Sequence, residues 1–320
     1  MSNFIKALNG NNPHTPPIWM MRQAGRYHSH YRKIKNQYSF EEICKTPKLA
    51  AEVALAPIQA FDFDAGILFS DILYIVEGLG YNVTFNPGPI ITTNNDKTKK
   101  DISFLSFQAN AIIETKKLLG SVPLIGFVGG IATIFKFIKA DSNLHERHSY
   151  INNFCYDIID LYIQNIKMQI DAGVNTIAIL DSRTVPNTHE YWSFTQKNII
   201  DVINKYCDIP IIYYSDCQQH ETLEGLACVG LNSKNDPVHS IQRNFGLHAV
   251  QGTFDEQLFT LPHIECAKKI EEYFQYIFDN TTPTERTMWV NSPGHGVPKN
   301  ALEENIKYFV TKGKEAFKIP

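Results

Sequence analysis

The sequence predicts a single-domain (β/α)8 TIM barrel, an α/β fold, and three observations carry that expectation. Eight short β-rich apolar runs recur along the chain, the segments between them keep helical periodicity, and each run ends in a polar or glycine-rich group. Strands that are apolar on every residue are buried on both faces, as a parallel sheet covered by helices requires. In a closed barrel all strand ends of one sense meet on a single face, and that face is where such folds carry their sites. An open doubly wound sheet is the competing architecture, but no G-x-G-x-x-G follows a strand, so a dinucleotide site lacks support. A chain of 320 residues has room for two domains. Barrels of this class use that length for one, and one domain over 1–320 is expected.

In chain order the runs are Pro17–Met21, Ala65–Phe69, Pro123–Val128, Thr176–Leu180, Ile209–Tyr214, Cys228–Leu231, His248–Val250 and Met288–Val290. Between the third and fourth, Glu146 to Ala172 sets Ile151, Phe154, Ile158, Ile159, Tyr162, Ile163 and Ile166 at helical spacing, with Gly173 as the C-cap. Pro262 to Phe278 starts with a proline fit for a first turn and places Ile270, Phe274, Ile277 and Phe278 on one side. Asn300 to Phe317 is the last helix, packing Leu302, Ile306, Phe309 and Val310. The polar run Thr92 to Asp101 reads as a solvated loop. Strands five to seven crowd together with only short helices between them.

Composition narrows the function classes. With 43% hydrophobic residues the chain has ample material for a large core, and its net charge of −3 gives no global attraction for nucleic acid or an anionic membrane. An anionic ligand must therefore be met by a local cluster. The most apolar stretch, Val122 to Phe135, contains Pro123 and stops at Lys136. It is shorter than the roughly 20 residues a spanning helix needs. Met1 to Gly10 lacks the apolar core of a secretory signal. The six cysteines, Cys44, Cys155, Cys207, Cys217, Cys228 and Cys266, form no short-spaced framework, so reduced thiols and a cytoplasmic setting are expected.

At the ends of the runs stand Arg22-Gln23-Ala24-Gly25-Arg26, Ser70-Asp71, Gly129-Gly130, Asp181-Ser182-Arg183, Ser215-Asp216, Asn232-Ser233, Gln251-Gly252 and Ser292-Pro293-Gly294-His295-Gly296. Polar residues after strands are ordinary loop chemistry, yet three of these groups ask for more. Arg22 and Arg26 put two bidentate guanidinium forks at the mouth, unless a loop acid pairs with them. Asp71 follows an apolar strand, where an unpaired carboxylate is costly. It either pairs with one of those arginines or awaits a cationic or N–H-rich ligand. His295, between two glycines that permit close backbone approach, is a ligand contact or a core histidine.

These residues carry a resemblance. The segment Pro16 to Pro89, with PPIWMMRQAGRY, EEICKTPKLAAEVALAPIQAF, FDAGILFSDIL and GLGYNVTFNPGP, closely resembles the N-terminal part of uroporphyrinogen decarboxylases. PLIGFVGG, AGVNTIAILDS, HAVQGTFDEQLF and GHGV…EENIKYFV follow in the family's order, so the likeness spans nearly the whole chain. It implies a (β/α)8 barrel, a homodimer, and cofactor-free, metal-free decarboxylation of the four acetate arms of uroporphyrinogen III to coproporphyrinogen III. By position it implies that Arg22, Gln23, Ala24, Gly25, Arg26, Asp71, Ser182 and His295 bind this tetrapyrrole polycarboxylate. Asp71 and Arg22 would be the catalytic pair, the guanidinium groups meeting carboxylates and Asp71 the pyrrole N–H groups. As a proton donor Arg22 is poor, because its pKa exceeds about 12. His295 or a bound water is the rival.

Several positions depart from the family's pattern. The G-A-P-W-T turn is replaced by Gly129 to Thr133, and its following Tyr by Phe137, which removes a hydroxyl but keeps a ring among the substrate-binding positions. D-S-W-A-G becomes Asp181 to Val185 with an added cation, Arg183; Lys-Gly becomes Ser215-Asp216-Cys217; and L-D-W becomes Leu231-Asn232-Ser233. Two other readings compete. One is a zinc-dependent corrinoid or cobalamin methyltransferase of the same fold family, whose H-x-C thiol is missing at Tyr214-Ser215-Asp216. His220 near Cys217, and His263 with Cys266, read instead as surface or core residues. The other is a non-catalytic porphyrinogen binder.

Overall fold

Seven of the eight expected runs pair in parallel and in the expected order. A computed structural model describes every residue but 13–14, 87, 94–100, 139–143, 183–187 and 319–320, and only the backbone of 144–150 and 218–219. The strands are β1 (Gly66–Ile67), β2 (Tyr81–Phe85), β3 (Pro89–Thr93), β4 (Leu124–Gly129), β5 (Thr176–Asp181), β6 (Ile211–Ser215), β7 (Cys228–Gly230), β8 (Ala249–Phe254) and β9 (Trp289–Pro293). All but β2 and β3 form one curled sheet in the order β1-β4-β5-β6-β7-β8-β9. Helices between successive strands cover its outer surface, as parallel crossovers demand.

The eighth run corrects the expectation in detail. Pro17–Met21 is not a strand but a single parallel bridge from Ile18 to Asn291. Trp19 N–H donates to Asn291 O at 3.2 Å, Asn291 N–H to Pro17 O at 2.9 Å, and Asp64 N–H to Ile18 O at 2.9 Å. The segment therefore lies between β9 and the approach to β1, and acts as the eighth stave of a TIM-type barrel. Pro16 and Pro17 have no N–H to extend the ladder, which limits the pairing to one bridge.

Other boundaries shift as well. β8 and β9 run on through Phe254 and Pro293, so Gln251-Gly252 and Ser292-Pro293 lie inside strands rather than beyond them. The run Thr92 to Asp101 begins inside a hairpin: β2 and β3 pair antiparallel, with Tyr81 opposite Thr93 and Phe85 opposite Pro89. Residues 94–100 of that run lie outside the described residues. The long helix spans Leu144–Asp171 and ends before Gly173, whose φ of 102° suits the glycine. Helix His263–Asn280 buries Ile270, Phe274 and Ile277, whereas Phe278 turns outward beneath Arg286.

Parity along the strands fills the interior in layers. Phe4, Ala7 and Leu8, from the helix Asn3–Leu8, plug the N-terminal end beneath Trp19, Ala65, Ile125, Ala178, Ile212 and Val290, all 0–1% exposed. One layer towards the strand ends, Met21, Phe127 and Leu180 are only partly buried. The packed core stops there, and these three side chains floor an open mouth. Among the described residues no helix is long and apolar enough to cross a membrane.

Candidate active site

The arginine loop leaves Met21 at the strand-end face and is braced from within. Tyr27 donates its hydroxyl to Gln23 O, and Gln23 Nε2 donates to Ala65 O at 2.6 Å. Gln23 is thus buried and turned down onto the start of β1, its Oε1 without a partner, while Ala24 packs half-buried on the main core. Arg32 reaches back from the helix Ser29–Lys35 to the carbonyls of Arg26, at 3.1 Å, and of Tyr27. Glu303, first residue of the helix Glu303–Ala316, pairs with Arg32 at 3.7 Å and accepts Ser29 N–H at 2.5 Å.

Hung from this frame, Arg22 and Arg26 stand apart from the other arginines. Of the five whose side chains are described, Arg32 serves the loop, Arg243 pairs with Glu221 at 2.7 Å, and Arg286 lies buried over Phe278 and Phe317. Arg22 and Arg26 make no ion pair or side-chain hydrogen bond with any described residue. Among the described residues the loop salt bridge weighed above is absent. Burial lowers the Arg22 pKa and the Arg26 charge lowers it further, with Asp71 opposing; a guanidinium remains protonated throughout.

Asp71 follows β1 by four residues and is half-buried. Its Oδ1 accepts Leu73 N–H at 2.9 Å, which fixes the carboxylate, and its other oxygen has no protein partner among the described residues. Burial pushes its pKa up to about 6, against the pull of Leu73 N–H and of the Arg22 charge. The two charges thus sense each other without forming an ion pair, which leaves both open to a ligand.

Asp181 takes a different part. It is wholly buried and accepts four hydrogen bonds: from Thr133 N–H at 3.0 Å, Thr133 Oγ1 at 2.8 Å, Tyr191 OH at 2.7 Å and Tyr213 OH at 3.0 Å. Burial raises its pKa and the four donors pull it back. The carboxylate caps the helix Ile131–Ile138 and ties β5 to β6, so it is a brace beneath the mouth. Gly130 makes room for it, since a Cβ there would lie 2.1 Å from Asp181 Cγ. Sequence reading could not find this cluster, because Tyr213 sits within an apolar run and Tyr191 in a helix, and nothing in the spacing points them at one carboxylate. Ser182, next along, is half-buried; Arg183 lies outside the described residues. Phe137 is half-buried and packs on the main core.

The G-H-G turn closes the ring. A Cβ on Gly296 would sit 3.1 Å from Arg22 Cβ and 3.3 Å from its Nε, and one on Gly294 would sit 2.3 Å from Ser233 N. Both glycines therefore answer to close approach, one to the arginine and one to the loop after β7. His295 is half-buried between them, its ring edge-on to Tyr214 at 5.9 Å. Tyr214 OH donates to Gly294 O at 2.9 Å and lies 3.2 Å from Asp216 Oδ1, which also accepts Asn232 Nδ2 at 3.2 Å. Tyr214 and Asn232 stand in the sequence only as residues at strand ends, with nothing to pair them with Asp216, because hydroxyl and amide partners are set by cross-barrel geometry.

The remaining histidines weighed as ligands are structural. Both ring nitrogens of His220 face carbonyls, Cys217 O at 2.5 Å and Gly230 O at 3.1 Å, and His263 Nδ1 meets Asn305 Oδ1 at 2.8 Å. Among the described residues no group of three His, Cys, Asp or Glu side chains is placed to hold a metal ion. A crevice of about 1340 Å³ opens at the opposite end of the barrel around Ile5, Leu8 and Asn9 and touches none of these groups.

Fold and strand-end face together define a TIM-type α/β barrel with a polar mouth built from loops of separate strands. The chain belongs to the uroporphyrinogen decarboxylase family: the model of that family, "Uroporphyrinogen decarboxylase (URO-D)", matches residues 1–316. It is 30% identical to the uroporphyrinogen decarboxylase of Picrophilus torridus, over 97% of this chain and 98% of that protein. With the Protochlamydia amoebophila uroporphyrinogen decarboxylase it shares 36% identity, over 98% and 91% respectively. Among solved structures, a methyltransferase from Methanosarcina mazei superposes with a TM-score of 0.76 over 98% of this chain and 99% of that one. At 17% identity that likeness shows the fold alone.

Proposed function

We propose that this chain decarboxylates the acetate side chains of uroporphyrinogen III, without metal or cofactor, to give coproporphyrinogen III, acting as a cytoplasmic homodimer. The observation that carries this reading is Asp71, a carboxylate of raised pKa with one oxygen open among the described residues, near Arg22 and through it Arg26, neither of which pairs with a described acid. A ring of pyrrole N–H groups bordered by carboxylates fits that pairing. Arg22 and Arg26 take carboxylates in bidentate fashion, and Asp71 accepts from the pyrrole N–H groups. Ser182, Phe137 and His295 line the remaining wall, and the Gln23, Ala24 and Gly25 backbone holds the loop to the ligand.

The chemistry then resides in the substrate. A proton added to the ring α-carbon next to the one bearing the acetate arm makes the ring an iminium-like electron sink, conjugated with the carbon that carries the arm. The bond to the carboxylate breaks, its electron pair enters the ring, and carbon dioxide leaves. Protonation of the exocyclic methylene gives the methyl group, and loss of the ring proton restores the pyrrole. The ring supplies what a bound electron sink would otherwise provide. Asp71 favours the positive charge as it develops, because its own charge is fixed in place before reaction.

Anaerobic incubation of the purified protein with uroporphyrinogen III, followed by oxidation and separation by carboxylate number, tests this. Products with seven to four carboxylates are expected, and would show that Phe137 serves where the family carries Tyr. Unchanged eight-carboxylate material from folded protein would leave a binder instead.

A further inference from the structure

The mouth has two walls of opposite charge. Around the eight-stave ring, Pro17–Met21 and β6 stand four places apart in either direction. Arg22, one residue past the first, and Asp216, one residue past the second, therefore rise from opposite walls at similar height. Asp216 is exposed, Asn232 Nδ2 donates to its Oδ1 over the strand ends and Tyr214 OH lies 3.2 Å from the same oxygen; its Oδ2 has no partner among the described residues. Glu256, two residues past β8 and so midway round the ring between the two walls, is half-buried. Gln257 Nε2 meets one of its oxygens at 3.3 Å, and the other is buried with no partner among the described residues. Burial raises the Tyr214 pKa, and Asp216 and then Glu256 add to the rise, so its hydroxyl stays a neutral donor.

We propose that Asp216, supported by Glu256, determines specificity by repelling carboxylates at the wall opposite the arginines. This rests on the reading that the mouth takes a porphyrinogen polycarboxylate. Once Arg22 and Arg26 anchor one edge of the macrocycle, the far edge meets Asp216. In uroporphyrinogen that edge carries an acetate and a propionate; in a partly processed macrocycle it can carry a methyl in place of the acetate. Like charges across a contact select against the first and tolerate the second. The wall thus favours intermediates over fresh substrate and draws a macrocycle towards completion.

The test compares kcat/KM for uroporphyrinogen III and for a five-carboxylate porphyrinogen, in the wild type, Asp216→Asn and Glu256→Gln. Asp216→Asn is expected to raise the eight-carboxylate value about fivefold at low ionic strength, the factor one unit-charge contact at 4 Å in water gives. The five-carboxylate value should change by less than about twofold, and the gain should fade in high salt. Equal changes for both substrates, or none, would overturn the proposal. Should Asp216→Asn not fold, Glu256→Gln makes the same comparison with a smaller gain. A second readout separates this from the catalytic reading: the thermal stabilisation conferred by uroporphyrin and by coproporphyrin as probes. If the wild type binds both but turns over nothing, a gain in the uroporphyrin shift alone upholds the wall while the decarboxylase reading falls.

Discussion

Asp71 is held where its charge is costly, and that cost has two measurable consequences. With its pKa raised from 3.8 to about 6, the protonated form is the one the fold prefers. Its stabilising share is complete below the unfolded pKa and is lost as pH rises through about 6, so the ionised group costs stability at neutral pH. Discounted for its partial exposure, that cost is about 1–3 kcal/mol. Asp71→Asn should therefore melt higher than the wild type at pH 8 and lose that advantage near pH 3, as denaturation at both values would show. Turnover should behave oppositely. In the wild type, kcat/KM should fall as pH drops through about 6, because a protonated Asp71 no longer carries the charge the reaction needs. At Arg26 the test is geometric: Arg26→Lys keeps the charge but loses the fork, and should raise KM roughly tenfold with kcat little changed. These positions were readable in the sequence because each directly follows a buried strand and has a residue type rarely left unpaired. Asp181 shared that pattern and misleads, since its role depends on Tyr191 and Tyr213, which only the folded chain brings to it.

At the level of elements, the arginine loop depends on a helix from the far end of the chain. Glu303 grips Ser29 and Arg32, and Arg32 grips the carbonyls behind Arg26. Glu303→Ala removes the grip without touching the mouth. A loose loop costs ligand capture more than chemistry, so KM for the polycarboxylate should rise several-fold, on the order of 5–10-fold, while kcat and the pH profile stay put. A general loss of fold would lower both together with the melting temperature, which tells the two apart. The sequence could not show this clamp, because a contact between Ser29 and Glu303 leaves no local signature. The hairpin β2–β3 is a different omission. Tyr81-Asn82-Val83-Thr84-Phe85 alternates with period two before an Asn-Pro-Gly turn, a signal that was present but stood outside the β/α rhythm. The shortened first stave follows from its two prolines.

For the whole molecule, the barrel is a plugged cylinder whose open end is chosen by its filling. Phe4 packs edge-on to Trp19 at 6.2 Å, and apolar side chains fill the interior up to Met21, Phe127 and Leu180. Trp19→Ala, which empties the middle of that column, should cost about 3–5 kcal/mol in denaturant unfolding. The eight runs made this architecture legible, since continuous apolar strands have few homes other than a covered parallel sheet. A net charge of −3 likewise leaves any anion to be met by a local cluster, and Arg22 and Arg26, unpaired among the described residues, are the candidates. The proposed function joins fold and chemistry, with an Asp71-centred mouth that would release carbon dioxide with nothing bound but its substrate. The most direct measurement is carbon dioxide released per uroporphyrinogen III under anaerobic conditions, by chelator-treated wild type and by Asp71→Asn side by side. The account predicts up to four equivalents from the wild type and at least a hundredfold slower release from Asp71→Asn. Equal rates from the two proteins, or release that requires an added metal, would contradict it.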